Sequence, residues 1–372
     1  MSTRAGTDGR EAPWRKKAPE INGSRVTRNQ TVDPSTAKGG TFAGDVVKLV
    51  GGTTLGQALI VLTAPILSRL YAPEAFGTAE VFFSIASLIS AIACLRYELA
   101  IMLPEREEDA ASLLTVSLFF ALAVSVLSAV FAAAREPITR LLRVPDLSPY
   151  LWLVPLSVLA NGGFLALNYW NSRTKRFGKL SAARVAKSAA MTGSQLAMGI
   201  AGTAQAGGLI GGWILGFVTS TTLLGGQTWH ADRQMLRRSI SLSRMMAGLK
   251  RYRKFPLYST WSALLNSISW QLPTFLLSAL FSPAVVGYYA MGTRLLRLPM
   301  NVIGAAIGQV FFQRAAEAKA EGTLAMLVES AFRRLVMLGM FPLLVLTIVG
   351  QDLFIVALGE SWAEAGIYTQ IL

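Results

Sequence analysis

Long apolar runs alternate with short polar interruptions along this chain. The runs are about 20 residues long, the length of a bilayer-crossing helix rather than the roughly ten of a barrel strand. They cover Val46–Leu70, Phe76–Leu95, Ala111–Ala134, Pro149–Trp170, Ala182–Ala201, Gly207–Gly226, Phe255–Phe281, Ala284–Phe312 and Leu335–Ile355, and a last run begins near Trp362 and reaches Leu372. The fifth is the weakest, because Arg184 and Lys187 sit in its first turns. Helices and closed barrels alone satisfy the backbone inside lipid. The pattern therefore predicts an all-α polytopic membrane protein with about ten spans.

Composition agrees. Hydrophobic residues make up 52% of the chain and charged residues 15%, against about 25% charged in an ordinary globular domain. Mean hydropathy is +0.46. The one cysteine, Cys94, excludes an internal disulfide. With the one histidine, His230, it falls short of the roughly four ligands of a structural zinc site. No metal and no cofactor are expected.

The formal charge of +14 is distributed by loop. Residues 1–45 are rich in Arg, Lys, Gly, Ser, Thr and Pro without apolar periodicity, and read as a disordered basic tail. Basic residues recur after span 4 (Arg173, Lys175, Arg176, Lys179), after span 6 (Arg233 through Lys254) and after span 8 (Arg314, Lys319, Arg333, Arg334). The loops around 72–77, 202–206 and 282–283 have none; Arg135, Arg140 and Arg143 after span 3 are the exception. By the positive-inside rule the tail and the even-numbered loops face the cytoplasm. Nucleic acid is not an expected partner. The segment Arg237–Lys254 is partly amphipathic and suits the anionic lipids of the inner leaflet.

The chain repeats itself. Leu67-Ser68-Arg69-Leu70-Tyr71-Ala72-Pro73-Glu74-Ala75-Phe76-Gly77 matches Leu277-Ser278-Ala279-Leu280-Phe281-Ser282-Pro283-Ala284-Val285-Val286-Gly287, 210 positions later. In both, proline opens a helix and glycine permits close packing. Six spans separate the copies, so both halves enter the membrane in the same orientation, as in the parallel repeats of several transporter folds. The expected organisation is a tail (1–45), an N-lobe of helices 1–6 (46–226), a basic linker (227–254) and a partial C-lobe of helices 7–9 with the start of 10 (255–372). On that expectation the chain is a partial copy of a twelve-span protein.

Several motifs resemble bacterial oligosaccharide flippases: Lys250-Arg251-Tyr252-Arg253-Lys254-Phe255-Pro256-Leu257-Tyr258-Ser259, Gln271-Leu272-Pro273, Gly287-Tyr288-Tyr289-Ala290, Arg294-Leu295-Leu296-Arg297-Leu298-Pro299 and Gly308-Gln309-Val310-Phe311-Phe312-Gln313, with Leu70–Gly77 and Arg96–Ile101 in the first half. These are the O-antigen, capsule and exopolysaccharide translocases of the multidrug/oligosaccharidyl-lipid/polysaccharide exporter superfamily. The resemblance implies two six-helix lobes around a central cavity lined by helices 1, 2, 7 and 8. It implies movement of an undecaprenyl-diphosphate-linked oligosaccharide from the cytoplasmic to the periplasmic leaflet of the bacterial inner membrane. Polysaccharide polymerase and chain-length machinery are the implied protein partners.

Such a protein makes no bonds; it offers sugar a polar path and a diphosphate a compensating charge. Charges inside spans are the place to look, because each costs roughly 2.5–3.5 kcal/mol at the membrane centre. Arg294 and Arg297 lie three apart in span 8 and share a face with Asn301; arginine's fork suits phosphate. Arg69 ends span 1, where snorkelling competes with substrate contact. Arg96 and Glu98 end span 2; two apart, they do not face each other on a helix. Glu98 and Glu80 are the candidate coupling or gating carboxylates. Gln57, Asn266 and Gln271 offer hydrogen bonds to sugar, or helix–helix glue. Pro65 and Pro273 are candidate bends.

A cationic-drug exporter would want an acidic cavity, and a lipid II-like flippase about fourteen spans. A membrane enzyme is not expected, since the outward loops are short apart from Arg135–Tyr150. An inactive remnant is the remaining alternative.

Overall fold

The computed structural model describes residues 42–239, 241–296, 315 and 322–371, with side chains from residue 51 onward. The basic tail therefore lies outside the described residues, as do Arg297, Asn301 and Gln309.

Phe42–Leu372 form one compact unit, and among the described residues all regular structure is helical. The helices are α1 (Phe42–Leu70), α2 (Pro73–Ser90), α3 (Tyr97–Ala100), α4 (Glu107–Ala133), α5 (Arg135–Leu141), α6 (Val154–Arg173), α7 (Phe177–Ile200), α8 (Ala206–Ser239), α9 (Leu242–Arg251), α10 (Thr260–Leu280), α11 (residues 283–296), α12 (Leu324–Leu358) and α13 (Ala363–Ile371). The protein is an all-α polytopic membrane protein. Large apolar side chains such as Leu62, Phe341 and Ile348 are more than 70% exposed, a surface suited to lipid and not to water.

Among the described residues, five stretches are long and apolar enough to cross a bilayer: Gly51–Leu70, Glu107–Ala133, Pro145–Arg173, Ala206–Ser239 and Leu324–Leu358. Helices α2, α7 and α10 are of lower hydropathy, for a local reason. Helix α2 carries Glu74 and Glu80, α7 carries Lys179, Arg184 and Lys187, and α10 carries Ser262, Asn266, Ser269 and Gln271. Glu80 of α2 and Arg184 and Lys187 of α7 belong to an internal face, described below.

Helix α1 packs along α7 through small residues. A Cβ on Gly52 would stand 1.9 Å from Ser181 Oγ, and one on Gly56 2.8 Å from Ser188 Oγ, the small-xxx-small approach of membrane helices.

The two repeated turns meet face to face. A Cβ on Gly77 would stand 1.7 Å from the Pro283 carbonyl oxygen, and one on Gly287 would stand 2.1 Å from that of Pro73. Each glycine thus packs on the proline of the other copy. The matched serines behave the same way: the Ser278 hydroxyl donates to the Leu142 carbonyl at 2.5 Å, and that of Ser68 to the Leu358 carbonyl at 3.0 Å. Both acceptors precede a residue with left-handed backbone, Arg143 (φ 53°) and Gly359 (φ 105°). Exchange of this kind is what two copies related by a two-fold axis produce. Trp362 seals the junction: its Nε1 donates to the Ser68 carbonyl at 2.9 Å, and Phe76 and Tyr288 meet its ring edge-on.

At the other end of α2 the helix stops at Ser90, and Leu95 (φ 47°) and Arg96 (φ 63°) adopt left-handed backbone before α3. This corrects the helical-spacing argument for Arg96 and Glu98. With the helix broken, the Arg96 guanidinium turns onto Glu98 and pairs with it at 3.6 Å.

Candidate functional site

A cavity of about 560 Å3 opens between the helices. Thr53, Gly56, Gln57 and Ile60 of α1 line it, with Glu80 and Phe83 of α2 and Phe164 of α6. Arg184, Lys187, Ser188, Met191 and Gln195 come from α7, Trp213 from α8, and Ala290, Thr293 and Arg294 from α11. A recess of about 40 Å3 shares Glu80, Phe83 and Arg294 with it and runs up to Leu67 and Phe76, under the paired turns. The cavity therefore tapers shut toward the turn contacts.

Among the described residues, three cations and one carboxylate stand in its wall. Arg184 donates from Nη1 to Thr53 Oγ1 at 2.7 Å and from Nη2 to Asn168 Oδ1 at 3.3 Å. Those partners are neutral, so its charge is not cancelled by them. Lys187 rests its ammonium 3.3 Å from the centroid of Phe217 and 5.6 Å from that of Phe164, a cation–π seat that needs no carboxylate. Arg294 lies close enough to Glu80 to interact electrostatically. The sum is a positively charged chamber among apolar helices, where low polarity strengthens every charge interaction.

The sequence candidates separate on this map. Arg294, Gln57 and Glu80 line the cavity. Arg69 is exposed at the turn end of α1, outside the cavity lining. Arg96 and Glu98 lie away from it, in the broken segment after α2. Glu98 is fully buried there, and neither of its carboxylate oxygens has a hydrogen-bond partner. Asn266 is exposed on α10, while Gln271 accepts a hydrogen bond from Ser84 Oγ at 3.0 Å, joining α10 to α2. Helix α10 thus supports α2, and none of its residues is among the cavity lining. The implied lining by helices 1, 2, 7 and 8 becomes α1, α2 and α11 joined by α6, α7 and α8. Pro65 and Pro273 sit inside α1 and α10.

Sequence reasoning missed Arg184 and Lys187 as cavity residues. The signal was present: two cations one turn apart in an apolar run. It read as a weak span because their direction depends on which neighbours α7 packs against.

A second cavity of about 550 Å3 lies between the start of α4 and the end of α8, lined by Glu107, Glu108, His230, Asp232, Arg233 and Arg238. Beside it Asp232 is held by Arg176 at 2.5 and 2.7 Å and by Trp170 Nε1 at 2.9 Å. This buried cluster clamps α6 to α8. Among the described residues no group of three or more potential ligands could hold a metal ion.

Residues 66–366 match the family described as polysaccharide biosynthesis protein. No curated protein matches the chain, and no solved structure does.

Proposed function

The chain belongs to the polysaccharide biosynthesis protein family, and on that footing we propose that it flips a lipid-linked oligosaccharide across the bacterial inner membrane. The substrate is an undecaprenyl-diphosphate-linked saccharide, and the direction is from the cytoplasmic to the periplasmic leaflet. The product supplies surface polysaccharide such as O-antigen, capsule or exopolysaccharide. One observation carries the reading: among the described residues, Arg184, Lys187 and Arg294 face one chamber with Glu80 as the carboxylate in its lining. A diphosphate brings negative charge into a place where an uncompensated ion is expensive, and arginine binds two phosphate oxygens at once. The same excess of cations disfavours a cationic-drug exporter.

The chamber tapers shut at the paired turns, which supports an alternating-access cycle in which the lobes part at that junction. With the basic loops on the cytoplasmic side, the turns face the periplasm and the conformation described is closed outward. Glu98, buried without a hydrogen-bond partner, is the proposed coupling carboxylate. Anionic inner-leaflet lipids against α9 and the polymerase machinery downstream complete the proposed partners.

Expression in a strain lacking its own flippase tests the reading. Surface polysaccharide should return with the wild-type protein and fail with an Arg184→Ala, Lys187→Ala, Arg294→Ala variant made and inserted at equal level. Equal restoration by both overturns it.

A further inference from the structure

One wall of the chamber is not polar. Phe83 of α2 and Trp213 of α8 stack with ring centroids 5.0 Å apart at an interplanar angle of 30°, and both are half-buried and line the cavity. Rings left half-exposed inside a polar chamber lose part of the burial that would otherwise stabilise them. The arrangement suits a ligand with an apolar face and polar edges. A pyranose ring has that form: axial C–H groups on a face, hydroxyls around the rim.

We propose that the Phe83–Trp213 pair is the platform on which the first sugar, the one attached directly to the diphosphate, is stacked. This rests on the lipid-linked saccharide reading above and adds a specificity site to it. One feature places that sugar and not a later one. Trp213 packs against Phe217 at 4.9 Å between centroids, and Phe217 carries the Lys187 ammonium 3.3 Å from its own centroid. Platform and cation are thus neighbours through one shared ring, as sugar and diphosphate are neighbours through one glycosidic oxygen. The platform is also rigid, since Phe82 meets Trp213 edge-on at 6.3 Å, so little ordering is required when a sugar settles on it. Gln57 and Thr293, on α1 and α11, supply polar groups to the same chamber for the hydroxyl rim.

The test compares two lipids on the protein in nanodiscs: a polyprenyl diphosphate without sugar, and the same lipid carrying one N-acetylhexosamine. Wild-type protein should bind the sugar-bearing lipid more tightly by roughly two- to tenfold, the range that aromatic contacts supply. Trp213→Leu should weaken the sugar-bearing lipid more than the sugar-free one and so abolish that difference, and Trp213→Phe should retain most of it. If Trp213→Leu does not fold, Phe83→Leu carries the same expectation. Equal weakening of both lipids would assign the wall to the prenyl chain and overturn the platform. An undiminished sugar preference in Trp213→Leu and Phe83→Leu would overturn it as well. Failure of both lipids to bind the wild-type protein overturns the parent reading and the platform together.

Discussion

Replacing Gly77 with alanine puts a methyl carbon 1.7 Å from the Pro283 carbonyl oxygen, half the 3.4 Å at which ordinary contact begins, and 2.6 Å from the carbonyl carbon. Both obstacles are backbone, so no side chain can swing aside; α2 and α11 must separate where the turns meet. Overpacking of this kind costs typically 1–3 kcal/mol. The whole of it falls on the conformation in which the turns touch, since the glycine is uncovered once they part. On the proposed alternating-access cycle, a bias of that size moves the equilibrium by roughly 5- to 150-fold toward the outward-open state. The assay is the rate at which a membrane-impermeant maleimide, added outside intact cells, labels Thr293→Cys in a Cys94→Ala background. Labelling should be slow with Gly77 and at least about fivefold faster with Gly77→Ala. Gly287→Ala should do the same, because its Cβ would meet the Pro73 carbonyl at 2.1 Å. Gly193→Ala, which meets nothing within 4 Å, should leave the rate unchanged. Unchanged labelling in both Gly77→Ala and Gly287→Ala, in protein that still inserts, would refute the assignment of this junction as the outward gate.

Other outcomes follow from the same contacts. Ser68→Ala and Ser278→Ala should each loosen the closed state by about 1 kcal/mol, read as a severalfold faster labelling of the same cysteine, because each removes one reciprocal hydrogen bond between the halves. Asp232→Ala should lower the thermal midpoint of purified protein, since it strands Arg176 and the Trp170 N–H; breaking a buried pair costs about 3–5 kcal/mol, and the partial exposure of Arg176 favours the lower end. On the proposed coupling role of Glu98, the nearly isosteric Glu98→Gln variant, in protein that still inserts, should flip lipid at a rate that no longer responds when the ion gradients across the membrane are collapsed, whereas the wild-type rate responds.

What the sequence made legible was whatever demands a particular residue at a particular place. The close approach of two backbones requires glycine, and a helix start favours proline, so the junction of the halves was written as Pro73/Gly77 and Pro283/Gly287. Arg294 stood out as a charge in an apolar run, and the chamber is where the structure places it. The Arg96–Glu98 pair was not legible, because it depends on left-handed backbone at Leu95 and Arg96, neither of which is glycine or asparagine. Arg184 and Lys187 were visible as residues but not as a site, since helical periodicity gives a face without saying what that face meets. The aromatic wall was hidden for the opposite reason. Phe83 and Trp213 look like lipid-facing residues in any apolar run, and only the packing of α2 on α8 turns them inward.

The central claim is that the cationic chamber carries a lipid diphosphate saccharide across the bilayer. It is tested most directly in proteoliposomes, by following how fast a fluorescent polyprenyl-diphosphate oligosaccharide in the inner leaflet becomes accessible to an external quencher. The wild-type protein should equilibrate the leaflets, and the Arg184→Ala, Lys187→Ala, Arg294→Ala variant should fall to the rate of protein-free vesicles. Wild-type flipping no faster than empty vesicles, or a triple variant as fast as wild type, would contradict the account.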